Sequence, residues 1–114
     1  MTSHERKLIR EMIPHRIHGI RAGASKGACD VILFKGDKLA VIEVKSTHKD
    51  HFSQRNNDQF LKMQKFAKEG TPTFYAVYFI GQTPKWQIYR VMTQPRKLII
   101  GYGVKISDFV KRYF

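Results

Sequence analysis

Cysteine is almost missing from the 114 residues: Cys29 stands alone, which excludes an internal disulfide and a thiolate-built zinc cage. A single thiol suits a reducing compartment. Long apolar runs are missing as well. No stretch approaches the ~18 apolar residues of a membrane span. The opening Met-Thr-Ser-His-Glu-Arg-Lys has no apolar segment of the kind a secretion signal needs. The expectation is a cytoplasmic, intracellular protein with no membrane partner. Repeats, low-complexity tracts and linker-like segments are also wanting, so residues 1–114 read as one small domain.

Negative charge is scarce. Nine Asp and Glu stand against 21 Lys and Arg, a formal net charge of +12. Such an excess attracts polyanions, nucleic acid above all. A basic protein of a halotolerant or thermophilic source, or a ribosomal-type RNA binder, is the other reading of charge alone. With 42% hydrophobic and 12% aromatic residues the chain can bury a core. A domain this small gains from oligomerisation.

The pattern predicts a helix capped by Thr2 or Ser3 and ended by Pro14, with Leu8, Ile9, Met12 and Ile13 as its apolar stripe. A short strand is expected over Arg16–Arg21, and Ala22–Cys29, rich in Gly and Ala, reads as a loop. Asp30–Phe34 and Leu39–Lys45 read as strands around Lys35-Gly36-Asp37-Lys38, a two-residue hairpin with Gly at positive φ. His48–Arg55 reads as a polar, basic loop. Asn56–Lys68 carries Phe60, Met63, Phe66 and Ala67 at helical spacing, and Gly70 stops that helix. Phe74–Ile80 and Lys85–Met92 are strands around a turn at Gly81–Pro84. Leu98–Ile100 adds a short strand after a loop at Gln94–Lys97, and Ser107 caps a final turn through Tyr113. This order suits an α/β (α+β) fold, a central mixed sheet flanked by helices.

The hairpin makes a geometric prediction. With Lys35 opposite Lys38, pairing runs out to Val31 opposite Ile42, and Asp30 opposite Glu43 comes next. Directly opposed residues share a face, their Cβ atoms about 4.5–5.5 Å apart. Lys45, two residues past Glu43, lies on that face too. The neighbours Val31, Ile32, Leu33, Val41, Ile42 and Val44 are apolar on both faces, as in a covered central hairpin. Two converging carboxylates make a hard oxygen site for Mg²⁺ or Mn²⁺, with a lysine to meet charge on a phosphate. The same spacing also suits a solvated strand end.

Asp30 followed after a hairpin by Ile42-Glu43-Val44-Lys45 resembles the PD-(D/E)XK nuclease signature, with Cys29 in place of the usual Pro. Glu5-Arg6, Arg21-Ala22-Gly23, the helix beginning near Gln59, Gly70, the strand Phe74–Ile80 and Trp86 narrow the resemblance. They are similar to the archaeal-type Holliday junction resolvases over roughly residues 4 to 90, with the C-terminal tail outside. The resemblance implies a restriction-endonuclease-like fold and a Mg²⁺-dependent endonuclease, with Mn²⁺ as substitute. Such an enzyme resolves four-way junctions of double-stranded DNA by paired nicks, as a homodimer. It implies that Asp30 and Glu43 bind metal with the Val44 carbonyl, and that Lys45 acts beside the attacked phosphate. Glu5 becomes a further acidic group at the metal, and Arg6 and Arg21 touch DNA. Ser25 is the loop serine that some members use, and Gln59 is a weaker candidate.

Other residues carry two readings each. Thr2-x-x-Glu5 is also a capping box, while Glu5 shares the helix's inward stripe. Arg21 suits bidentate phosphate contact but also ordinary surface charge. Lys26, and Lys49 and Arg55 beside His48 and His51, are candidates for DNA phosphates. Phe74, Tyr75, Tyr78 and Phe79 fit a core better than base stacking, and Cys29 reads as a small buried residue. Trp86, Phe109, Tyr113 and Phe114 suit either a dimer interface or a core with a folded-back tail. Beside the resolvase reading stand two others: another small nuclease of this fold, of the virus-type replication-repair or DNA-end kind, and a non-catalytic nucleic-acid-binding module.

Overall fold

A computed structural model describes residues 3–22 and 29–114. Thr2, Ser25 and Lys26, singled out from the sequence, lie outside the described residues, as does the Thr2 half of the capping box. Helix α1 (Ser3–Met12) buries Leu8 and Met12 completely. Ile13 is 62% exposed instead of joining that stripe. Pro14 is the reason: it opens a 3-10 turn over Ile13–His15 that Arg16 closes at φ 61. Strand β1 is therefore shorter than expected, His18–Arg21. At Gly19 it lies so close under α1 that an added Cβ would meet the Ile9 side chain at 2.7 Å.

Strands β2 (Val31–Lys35) and β3 (Lys38–Thr47) pair antiparallel in the expected register, from Lys35 opposite Lys38 to Val31 opposite Ile42, with Gly36 at φ 61 in the turn. Five consecutive residues of β3, Ala40–Val44, are buried, because both faces of this central strand are covered. Helix α2 (Asp58–Lys68) starts from Asn57, whose side chain accepts the Phe60 N–H at 2.9 Å. Strands β5 (Thr73–Phe79) and β6 (Trp86–Arg90) follow.

The main sheet has the order β1-β2-β3-β5-β6, with β3 and β5 parallel and the other pairs antiparallel. One face holds Leu8, Met12, Val44, Phe74, Trp86 and Phe109 against α1 and α3 (Ile106–Tyr113). The other holds Val41, Tyr75, Val77 and Tyr89 against Phe60 and Met63 of α2. Mixed sheet and flanking helices are as expected.

Two further expectations change. The basic loop after Lys45 contains a strand, β4 (His51–Ser53), paired with β7 (Lys97–Ile99), so that Phe52 lies opposite buried Leu98. One apolar residue in a three-residue strand leaves no alternation to read. Ser107 is not a cap: α3 starts from Lys105, with no side-chain hydrogen bond to it. Trp86 and Phe109 are buried in the chain's own core, and Tyr113 and Phe114 pack against it, so the tail folds back. Phe74, Tyr75 and Phe79 are core residues as well. No helix among the described residues is long and apolar enough to cross a membrane.

Candidate active site

Strand alternation turns Val41, Glu43 and Lys45 toward the α2 side of the sheet. Glu43 is only 1% exposed, and Lys45 reaches back to it, Nζ to Oε2 3.2 Å. The same ammonium donates to Gln59 Oε1 at 3.1 Å and lies 5.8 Å from the centre of the Phe52 ring. Lys45 is thus held from three sides by β3, β4 and α2.

Asp30 is not the ladder partner of Glu43 that the hairpin register predicts. It straddles Glu43 instead: its N–H donates to the Ile42 carbonyl at 3.0 Å, and its Oδ2 accepts the Val44 N–H at 2.9 Å. A short carboxylate competes with the ladder for backbone donors, and here it wins at the strand's first position. The two acids still converge. Burial, then the charge of Asp30, pushes the Glu43 carboxyl up to about 8, against the opposing pull of Lys45. Tyr75, beside Glu43 on β5, is pushed up to about 12 by burial and then by the same two acids. Burial followed by Glu43 and Asp30 also raises Cys29, a half-buried free thiol.

These residues fit a divalent cation. Glu43 Oε1 is buried without a hydrogen-bond partner, an arrangement costly for a carboxylate unless a positive charge meets it. Asp30 and Glu43 present the oxygen donors that Mg²⁺ takes. Val44 sits between Glu43 and Lys45 and gives its N–H to Asp30. Among the described residues no group of three or more His, Cys, Asp and Glu side chains gathers at one point. Glu5 is engaged elsewhere, its Oε1 receiving Arg21 Nε at 3.1 Å. That pair is still one strand from Asp30, because the Ala22 N–H donates to the Asp30 carbonyl at 2.9 Å. Arg6 is exposed on α1.

Next to Lys45 opens a cavity of about 460 Å³, lined by Lys49, Arg55, Gln54, Gln59 and Tyr75 among others. It brings together the predicted Lys49 and Arg55, and His51, which pairs with Asp50 at 2.9 Å; His48 is exposed. Sequence reasoning missed Gln54, which is 8% exposed with its Nε2 unpartnered and its Oε1 accepting the Arg96 N–H. It also undervalued Gln59. The Asn57 cap fixes where α2 begins, and that phase is the signal that places Gln59 toward the sheet.

The family described as archaeal Holliday junction resolvase (hjc) matches residues 2–113. The match takes in the C-terminal segment that the sequence resemblance left out. The chain is similar in structure to Archaeoglobus fulgidus Hjc, a Holliday junction resolvase from an archaeal hyperthermophile. The TM-score is 0.77 and the identity 20%, over 98% of this chain and 96% of that one. A comparison with curated proteins gives no match.

Proposed function

The chain belongs to the archaeal Holliday junction resolvase family and is a nuclease that resolves such junctions, and from that premise we propose that it does so by paired, Mg²⁺-dependent nicks made by Asp30, Glu43 and Lys45. The observation that carries this reading is the buried Glu43 carboxylate beside Asp30, with an orphaned oxygen and a lysine at 3.2 Å. Nucleases of this family are metal-dependent. Asp30, Glu43 and the Val44 carbonyl would hold Mg²⁺, or Mn²⁺ in its place, which when bound supplies positive charge at the phosphate and acidity to a water.

The chain's own residues do the rest. Lys45, fixed by Glu43 and Gln59, presents its ammonium to the phosphate and stabilises the charge that builds during attack. Lys49 and Arg55 line the wall of the adjoining cavity and take neighbouring phosphates. Arg6 and Arg21 contact the backbone, and so do Ser25 and Lys26, which precede Asp30 in the sequence. When Arg21 turns to a phosphate, Glu5 is released as a further acidic group for the metal. These contacts read branch geometry more than base sequence. Residues 1–114 act as one nuclease domain, inside the cell with its DNA.

One chain carries one Asp30–Glu43–Lys45 set, and a four-way junction must be cut on two strands. A two-fold homodimer supplies two equivalent sites through one self-complementary patch. The test uses a synthetic four-way junction, a flap and a linear duplex with protein and Mg²⁺, together with light scattering. A dimer that nicks the junction in symmetric pairs, stops in EDTA without unfolding and works poorly with Ca²⁺ is expected. Preference for the flap or for duplex ends moves the chain to another small-nuclease role. Undiminished cleavage in EDTA rules out the metal mechanism, and binding without any cleavage leaves a recognition module.

A further inference from the structure

The sheet end that bears Lys45 has cavities on both of its flanks. Ser46, Tyr78 and Trp86 form one row across β3, β5 and β6 at that end. The cavity beside Lys45 lies on the α2 side of this row. On the opposite side, between α1, the turn leading into β6 and the start of α3, lies a second cavity of about 590 Å³. Lys7, Arg10, Lys85 and Lys105 surround it, with Glu11 as its single carboxylate. All four cations are exposed. The ion pairs Arg21–Glu5 and Lys45–Glu43 and the His51–Asp50 contact lie elsewhere.

We propose that this second cavity is a subsite for a DNA phosphate backbone, and that it receives the strand diverging from the one being cut. The proposal rests on the reading of the chain as a junction nuclease and adds a contact that the catalytic residues do not make. Four like charges around one concavity repel one another, and a polyanion threaded between them offsets that repulsion. The floor points to backbone and not to bases. Trp86 is 7% exposed and spent on the core, while the Tyr78 ring is covered by His4 at 5.0 Å and by Lys7 Nζ at 4.9 Å. Neither ring offers an open face for stacking.

Between the two cavities stands a narrow crest. Gln82 Nε2 ties it together by donating to the carbonyls of His48 and Lys49 at 3.2 and 2.8 Å, and the Ile80 N–H donates to the Thr47 carbonyl at 2.9 Å. The Ser46–Tyr78–Trp86 row runs two strand spacings, about 10 Å, along the crest, and from cavity to cavity the crest is one sheet layer thick. A thin wedge with an anion seat on each flank fits where two backbones part. A linear duplex offers no such parting.

The test is a Lys85→Glu/Lys105→Glu double variant of the full chain, which leaves the catalytic residues untouched. Affinity for a synthetic four-way junction and for a linear duplex is measured across a salt series in EDTA. Nicking of the junction is followed separately at saturating protein with Mg²⁺. Junction affinity should fall about tenfold or more, and the log–log salt slope should shrink by about 0.9 for each phosphate no longer neutralised. Duplex affinity should fall less, and saturated nicking should stay unchanged. The neutral Lys85→Gln/Lys105→Gln pair should fall between wild type and the reversal. Unchanged junction affinity and slope overturn the proposal, and so does an equal loss on both substrates. Failure of the wild type to cut the junction overturns the functional reading instead, while the EDTA binding series still judges the cavity.

Discussion

The β2–β3 hairpin carries charge at both ends, under opposite conditions. At the turn, Asp37 and Lys38 are exposed, and Lys35 reaches the His15 carbonyl at 3.4 Å. At the open end, Glu43 is 1% exposed, touches Lys45 and keeps one oxygen without a partner. Residue types at the two ends are nearly the same. Burial is what differs, and burial turns a carboxylate from a solubilising group into one that works only when a counter-charge arrives.

The largest effect that tests this contrast is catalytic. Asp30→Asn or Glu43→Gln should lower junction nicking by about 10²-fold or more, whereas Asp37→Asn should leave the rate unchanged. Junction binding should survive in all three, since the basic surface is intact; gel shift beside a nicking assay reads both. Full activity in Asp30→Asn would sink the site.

A smaller effect is on stability and has a defined sign. The folded-state value of Glu43, about 8, lies above its ordinary value of 4.5. Its contribution is therefore fully present below about pH 4.5 and is lost as pH rises through about 8. In EDTA, Glu43→Gln should then stabilise the protein increasingly from pH 5 to pH 8, by a few kcal/mol at roughly 1.4 kcal/mol for each pH unit that separates the two values. Denaturant melts at several pH values measure it, and a variant destabilised at pH 8 would refute the account.

Smallest is the turn itself. Gly36 sits at φ 61, and a Cβ added there would have nothing within 4 Å, so space is not its constraint. Gly36→Ala should cost about 1 kcal/mol through backbone strain alone, with nicking unaltered. A melt unchanged within error would mean that the turn relaxes.

Much of this contrast was legible in the sequence, and the reason is local. A Gly-Asp turn between two apolar runs fixes register, and register placed Val31 opposite Ile42 and Lys45 on the face of Glu43. The prediction failed by one residue at Asp30, because its own side chain competes for the Val44 N–H. It failed again at Ile13, where Pro14 redirects the chain. What surrounds Lys45 was less legible. Gln59 comes from α2, Phe52 from a three-residue strand whose partner lies beyond β6, and Gln54 is held by Arg96. Contacts of that range leave no periodic trace. The carboxylates could be read because they share a hairpin; their surroundings could not.

The single parallel pair in the sheet has a consequence for how the chain assembles. Antiparallel β2 and β3 close through a two-residue turn, so Asp30 and Glu43 are brought together at almost no loop entropy. Parallel β3 and β5 meet only after the connection over residues 48–72 has closed, and that connection contains both Phe52 and Gln59. Loop closure grows costlier with length, by about 0.6 kcal/mol per doubling, and parallel pairing is intrinsically slow. A newly made chain is therefore expected to acquire its repelling acids early and the brace on its lysine late.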